Sequence, residues 1–265
     1  MAGLYTGSSL APVLGVPAAT RAGQQAGWRV AFAALGFVAA LTCLAVVVAL
    51  PSVPPHEEAA RVGEEPDARR YALLVVATAL AVAGTFAAYT YLTAHLLHVA
   101  RLPESSLGPV LLLFGVAGVL GAIASGLLLG SRPRVALLLP LATLTVALIL
   151  LFGYGSSAAV AVATFTLLSV ASTVLAAAIQ ARSLQVAPAS TDMASAGTSS
   201  AYNAGIASGA WLGGLLVAGP GVPATALAGA ALVATALAVL LTEPLVVPQT
   251  RTPAAAEAPQ PASCG

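Results

Sequence analysis

Residues 51–70 read PSVPPHEEAARVGEEPDARR and form a polar segment between long apolar stretches. The charged residues in this segment are Glu57, Glu58, Arg61, Glu64, Glu65, Asp67, Arg69 and Arg70. Because one charged side chain at the bilayer centre costs about 2.5–3.5 kcal/mol, moving all of them into hydrocarbon would cost roughly 20 kcal/mol or more. The segment is therefore predicted to stay in water and to link two membrane-embedded parts of the chain.

The composition of the whole chain indicates an integral membrane protein. Of its 265 residues, 59% are hydrophobic and only 7% are charged, whereas roughly a quarter of the residues in a soluble protein carry charge. A net charge of +1 offers no basic surface for a nucleic acid. Two cysteines, Cys43 and Cys264, support neither a disulfide framework nor a thiolate metal site. The expected partner is the lipid bilayer.

Hydropathy and turn residues divide the chain into eight predicted transmembrane helices. The first covers residues 1–20 and is interrupted by Pro12, Gly15 and Pro17. The others cover residues 28–50, 71–98, 107–130, 134–153, 156–180, 197–218 and 222–242. The tail 243–265 is rich in Pro and Ala and is predicted to be disordered. The predicted fold class is all-α, a polytopic membrane helix bundle.

The arginines divide unequally between the two sides of the membrane when the loops are assigned alternately. One side holds Arg61, Arg69, Arg70, Arg132, Arg134, Arg182 and Arg251, and the other holds Arg21, Arg29 and Arg101. Cytoplasmic loops carry the excess of positive charge. The polar segment and both termini are therefore predicted to be cytoplasmic, in a multi-pass protein of the cell membrane, that is, a bacterial inner membrane.

Small residues recur at helical spacing in two of the predicted helices. Gly205, Gly209 and Gly213 stand four residues apart, and Ala117, Gly121 and Ser125 form a similar series. Because lipid gives no hydrophobic drive for helix association, such faces let helix backbones approach closely. We interpret both series as packing faces, in preference to ligand sites.

Several stretches resemble the major facilitator superfamily, in its drug or sugar efflux branch, which includes arabinose-efflux permeases. GSSLAPVLGVPAATRAGQQAGWRVAF (residues 7–32) resembles the antiporter motif of the fifth helix and the connection after it, with Gly7, Gly15 and Pro17 at its structural positions. FAAYTY (86–91) with LLFGVAGVLG (112–121) resembles the seventh and eighth helices, and AYNAGIASGAWLGG (201–214) resembles the eleventh.

The resemblance implies two bundles of six helices joined by a cytoplasmic loop. According to this resemblance, residues 1–50 are the last two helices of the first bundle and residues 51–70 are the inter-bundle loop. Residues 71–242 are the complete second bundle, and residues 243–265 are a cytoplasmic tail. The first four helices are then expected to be absent. One departure is Gly130, which stands where the family has an Asp between its eighth and ninth helices.

Candidate cavity residues are polar or aromatic groups at membrane depth, where they are costly unless used or paired. The resemblance places Tyr89, Thr90 and Tyr91 near the central cavity, and Tyr202 and Asn203 begin the eleventh-like helix. Packing between helices, or a hydrogen bond to a neighbouring helix, is the alternative for each of them.

Four further polar residues are interpreted as structural. His95 and His98 lie near a predicted helix end beside Arg101, so interfacial anchoring is favoured over a proton relay. Gln180 and Arg182 are interpreted as a helix boundary at the cytoplasmic face. All nine acidic residues are predicted to lie in loops or the tail, so the chain alone is not expected to couple transport to protons.

The sequence carries no metal-ligand cluster, activated nucleophile, phosphate-binding Gly loop or redox pair, so no enzyme activity, metal or cofactor is expected. The first functional hypothesis is a transporter or antiporter that exports drugs or other small molecules by alternating access. Its substrate is then the expected partner, if a full-length permease exists. The second is a non-transporting remnant, or a misassigned start of a full-length permease. Substrate, direction, coupling ion and oligomeric state stay open.

Overall fold

The computed structural model describes residues 27–49 and 62–246, together with Gly15, Gly23 and Gln25. Most of the first predicted helix, with Gly7 and Pro17, lies outside the described residues, as do residues 51–61 and the tail after residue 246. Gly15 is helical, with open space where a Cβ would stand. Throughout the part that the structure describes, the regular elements are helices.

The long helices are α1 (Trp28–Ala49), α2 (Ala68–Tyr89), α3 (Leu107–Ser131), α4 (Pro133–Tyr154), α5 (Ala158–Gln185), α6 (Thr191–Ala218) and α7 (Val222–Val246). Every one of them except α6 is long and apolar enough to cross a membrane. Helix α6 is 28 residues long but richer in Ser, Thr and Gly. The predicted all-α polytopic membrane bundle is confirmed.

Helix ends extend further than hydropathy predicted, because capping groups carry the helices into polar sequence. Asp67 accepts hydrogen bonds from the backbone N–H groups of Arg69 and Arg70 at 2.8 and 3.1 Å and so caps α2. Ser190 caps α6 in the same way. Asp192 lies in the first turn of α6, next to its cap, and Glu243 lies in the last turn of α7. The expectation that every acidic residue lies in a loop or tail was therefore wrong for these two.

The predicted helix 71–98 is broken after Tyr89. A single α-helical turn, Leu92–Ala94, is followed by a π-helical turn, His95–Val99, in which the Ala100 N–H donates to the His95 carbonyl at 2.9 Å. A π-turn widens the helix by one residue and frequently marks a functional position. The break therefore changes which side chains the second half of this segment turns toward the bundle.

Glycines set the closest helix contacts in the bundle. Helix α6 lies against α2 along Gly205, Gly209 and Gly213, all of them buried. A Cβ placed on Gly205 would lie 2.8 Å from the Cβ of Val82, and one on Gly213 would lie 2.5 Å from the carbonyl oxygen of Ala87. The three positions admit no side chain, so the face works as a packing surface in the manner expected of small residues in lipid.

The apolar core lies where α4, α5 and α7 meet α2. Leu141, Leu144 and Leu148 of α4 are almost fully buried, as is Phe165 of α5. Helix α1 differs, since most of its described side chains are exposed and only Ala31 among them is buried. The bundle of α2–α7 therefore carries the core, and four of its helices line the open cavity described next.

Candidate functional site

A cavity of about 430 Å³ lies between α2, α3, α5 and α6. Its volume is within the range of small-molecule sites in proteins. The lining combines aromatic rings, hydroxyl groups and small residues, and none of the described lining side chains carries a charge. Its aromatic members are Phe86, Tyr89, Phe114 and Tyr202, and its hydroxyl-bearing members besides the tyrosines are Thr85, Ser169, Ser172 and Thr173.

The aromatic part of the lining presents two phenol groups. Phe86 and Tyr89 lie one turn apart on α2 and pack edge to face, with ring centroids 5.8 Å apart. Tyr202 reaches the same cavity from α6. Neither the Tyr89 nor the Tyr202 hydroxyl has a hydrogen-bond partner among the described residues. Because a partly buried Tyr hydroxyl usually finds a partner, these two groups are available to a ligand.

The other hydroxyl groups of the lining donate their protons in hydrogen bonds to backbone carbonyl groups. Ser169 donates to the Phe114 carbonyl at 2.7 Å, which ties α5 to α3. Thr85 donates to the Ala81 carbonyl at 2.8 Å and Thr173 to the Ser169 carbonyl at 2.9 Å. Each of these oxygens keeps lone pairs as acceptors. The cavity therefore offers acceptor oxygens and two phenol groups that both donate and accept, which suits an uncharged ligand with several hydroxyl groups.

The structure brings together two of the five candidate cavity residues, Tyr89 and Tyr202. Thr90 is exposed, and Tyr91 turns away because the helix breaks at this point; its hydroxyl donates to the Ala210 carbonyl at 3.0 Å. Asn203 is exposed and donates to the Ser199 carbonyl of its own helix at 2.9 Å. These three therefore lie away from the cavity.

The sequence interpretation missed the hydroxyl groups of α5. Ser169, Ser172 and Thr173 lie three and four residues apart and so share one face of the helix. That spacing is visible in the sequence. However, Thr164 and Thr166 of the same helix only donate to their own backbone, so spacing alone does not separate the cavity face from the others.

His95 lies inside the bundle. Its side chain is 2% exposed, its Nε2 lies 3.2 Å from the Gly155 carbonyl oxygen, and its ring packs edge to face on Phe165. Interfacial anchoring was therefore wrong for His95, which fastens the π-turn to the connection between α4 and α5. His98 is exposed, as an interfacial residue would be.

Arg182 does more than mark a helix end. Its guanidinium lies 3.3 Å from a Glu65 carboxylate oxygen and 3.2 Å from a Glu243 oxygen, so it joins α5, the segment before α2, and α7. Arg70 lies 3.6 Å from Glu65 and 3.9 Å from Glu243. Gln180 donates to Ser195 of α6 at 2.6 Å. These contacts fasten one end of the bundle.

No group of three or more His, Cys, Asp or Glu residues in the described part could hold a metal ion. The candidate sites in the described part are the uncharged cavity and the charged cluster at the bundle end. Neither contains a nucleophile paired with a base, which covalent catalysis requires.

Comparison with known proteins identifies the family. The sequence model of the Major Facilitator Superfamily matches residues 1–191. A probable sugar efflux transporter of Mannheimia succiniciproducens is 35% identical over 212 residues, which cover 79% of this chain and 53% of that protein.

Two further relatives carry the same name. The probable sugar efflux transporters of Helicobacter acinonychis and Helicobacter pylori strain J99 are each 32% identical over 217 residues, which cover 81% of this chain and 55% of each relative. The chain spans about half the length of the curated relatives it matches. The chain belongs to the Major Facilitator Superfamily, a family of membrane transporters and not of enzymes.

Proposed function

We propose that this chain forms part of an efflux transporter for neutral sugars, and that the cavity between α2, α3, α5 and α6 is its side of the substrate site. One observation carries the proposal: the lining pairs two unpartnered tyrosine hydroxyls with acceptor oxygens and apolar rings, and no described lining residue is charged. Sugars present hydroxyl groups at their edges and apolar C–H faces, which match this combination. The names of the relatives, probable sugar efflux transporters, support the same class of substrate.

The proposal extends to the arrangement of the whole protein. Residues 71–242 act as the second bundle of a transporter that works by alternating access, in which two bundles rock about a central site. Drugs are the alternative substrate class, and a cationic drug would require an acidic group in the cavity. Because none of the described lining residues is acidic, the cavity favours a neutral sugar.

The test is direct binding of radiolabelled neutral mono- and disaccharides to the purified protein in nanodiscs. Tyr202→Phe and Tyr89→Phe each remove one ligand hydrogen bond and should weaken binding about tenfold, the equivalent of about 1.4 kcal/mol. Tyr154→Phe is the matched control, because Tyr154 is 65% exposed and lies at a helix end outside the cavity. It should leave binding unchanged.

Two results would contradict the proposal. The first is equal sugar affinity in all three variants and the parent protein. The second is tighter binding of a lipophilic cation than of any sugar, with both tyrosine variants unaffected. The second result would indicate that the protein exports drugs and not sugars.

A further inference from the structure

We propose that Gly118 of α3 is a specificity-determining residue of the cavity, because a glycine at this position leaves two hydroxyl oxygens of α5 open to the ligand. These oxygens belong to Ser169 and Thr173. The inference rests on the proposed function and deepens it. The selected substrate is a neutral sugar that places one hydroxyl donor against this wall of the cavity.

Gly118 faces side-chain oxygens of α5. A Cβ placed on Gly118 would lie 3.2 Å from the Oγ of Ser169 and 3.6 Å from the Oγ1 of Thr173. All three residues line the cavity. A methyl group at Gly118 would therefore occupy the space from which a ligand reaches these two oxygens.

Gly121, one turn further along α3, shows how a packing glycine of this helix differs. A Cβ on Gly121 would lie 2.7 Å from the carbonyl oxygen of Val170 and 3.1 Å from its Cα, so the two helix backbones meet there. Gly121 is not among the described residues that line the cavity. A methyl group on Gly118 would require a shift of only a few tenths of an ångström in a side-chain oxygen. Close packing of α3 on α5 thus depends on Gly121, and Gly118 serves the cavity.

The two oxygens beside Gly118 act as hydrogen-bond acceptors. Ser169 donates its proton to the Phe114 carbonyl at 2.7 Å, and Thr173 donates to the Ser169 carbonyl at 2.9 Å. Each hydroxyl oxygen keeps lone pairs for a further partner. The wall therefore recognises a donor, such as the O–H group of a sugar. A sugar that carries hydrogen or a methoxy group at that position lacks the donor.

The expected selectivity is modest. Both hydroxyl groups keep their bonds to backbone carbonyls when the ligand lacks the donor, so no buried donor is left unpaired. Loss of one neutral hydrogen bond then weakens binding about tenfold. In Gly118→Ala the methyl group covers the acceptors, so the sugar should bind about tenfold more weakly, at the level of the analogue without the donor.

The test measures which sugar hydroxyl groups contribute to binding in nanodiscs. The probes are D-glucose, D-galactose and lactose, each with its monodeoxy analogues, in competition with the radiolabelled parent sugar. The parent protein should bind one monodeoxy analogue about tenfold more weakly than the sugar itself. Gly118→Ala should reduce this ratio to below about twofold and leave the ratios for the other analogues unchanged.

Gly126→Ala is the matched control. It makes the same substitution on the same helix, at an exposed position outside the described cavity lining, where a Cβ would meet nothing within 4 Å. It should keep the ratios of the parent protein. Thermal unfolding of each variant reports on the fold separately.

Ser169→Ala is the second informative variant, because it removes the nearer oxygen without adding bulk. It should weaken discrimination against the same analogue as Gly118→Ala does. The double variant should discriminate no less than Gly118→Ala alone, since the methyl group already covers the Ser169 oxygen. General damage to packing would not select a single hydroxyl group of the sugar.

The outcomes separate this inference from the proposed function. Discrimination that is lost at one sugar hydroxyl in both Gly118→Ala and Ser169→Ala, and kept in Gly126→Ala, supports the inference. If the parent protein binds sugars through its tyrosines and Gly118→Ala keeps every ratio, the inference is overturned and the proposed function stands. A Gly118→Ala protein that does not fold, or that binds the sugar and all analogues more weakly by one common factor, would show that Gly118 is a packing residue. Absence of sugar binding by the parent protein would overturn both.

Discussion

Tyr89 and Tyr91 show how strongly a single residue's role depends on local backbone. Tyr89 ends α2 and lines the cavity, whereas Tyr91 follows the break and seals the interface between α2 and α6. A Cβ on Gly213 would meet the Tyr91 ring at 2.6 Å, so that ring fills the space which the glycine leaves. The sequence placed both tyrosines at the same membrane depth, but only the break decides which one faces a ligand.

His95 and His98 provide the clearest test at the residue scale. His95→Ala removes the contact with the Gly155 carbonyl and leaves a cavity beside Phe165, so it should destabilise the protein by roughly 2–4 kcal/mol. His98→Ala changes an exposed side chain one turn away and should have little effect. Thermal unfolding followed by circular dichroism compares the two variants. Equal unfolding temperatures would show that His95 does not fasten the π-turn.

At the scale of elements, glycine contacts determine which helices meet. Gly84 of α2 and Gly229 of α7 are in close contact, and Gly121 of α3 lies against Val170 of α5. Together with the α6 face on α2, these contacts bring backbones together without help from long side chains. Packing of this kind is the main cohesive term between helices in lipid.

Gly209→Ala should destabilise the bundle. Its new Cβ would collide with the backbone of Ala83, which cannot move aside as a side chain can, so a loss of about 1–3 kcal/mol is expected. Gly126→Ala is the matched control, because the same Cβ on α3 would meet nothing within 4 Å. That variant should be neutral or slightly stabilising, since Ala favours the helix. A similar unfolding temperature for both would argue against the interface.

Much of this element-level structure could be predicted from the sequence. Helices in a membrane protein are long apolar runs, so hydropathy predicted their existence and order. The spacing of Gly205, Gly209 and Gly213 indicated a packing face. The π-turn at His95 could not be predicted, because no periodic pattern in the sequence marks it. The ion pairs of Arg182 could not be predicted either, because its partners Glu65 and Glu243 are far from it along the chain.

The cavity could be predicted only in part, for a related reason. Tyr89 and Tyr202 stood out because polar aromatic residues are uncommon at membrane depth. Ser169 and Thr173 did not, since Ser and Thr at many places in these helices donate to their own backbone. Only the position of α3 beside α5 shows which hydroxyl groups face an open space.

At the scale of the whole molecule, the two ends of the bundle differ in chemistry. One end gathers Arg70, Arg134 and Arg182 with their acidic partners, whereas the other holds His95 beside Gly155. This polarity agrees with the unequal division of arginines along the sequence. By the positive-inside rule, we expect the arginine-rich end to face the cytoplasm.

Thiol labelling in intact cells tests that orientation. In a background of Cys43→Ser and Cys264→Ser, a membrane-impermeant maleimide should react with His98→Cys and should reach Glu64→Cys only after lysis. Both positions are exposed in the structure, so access through the protein is not limiting. In a separate Cys43→Ser variant that keeps Cys264, which lies outside the described residues, Cys264 should behave like Glu64→Cys. Labelling of Glu64→Cys before lysis would reverse the proposed orientation.

The polar character of α6 has a consequence for how the protein is made. Helices α1 to α5 precede α6 in the chain and are synthesised before it. They are apolar enough to cross a membrane by length and composition, whereas α6 is not. Its glycine face fits α2, which is made well before it. Because small residues let helices pack closely in lipid, we expect α6 to enter the bilayer beside an α2 that is already inserted. On this expectation, the earlier synthesis of α2 offsets the lower hydropathy of α6.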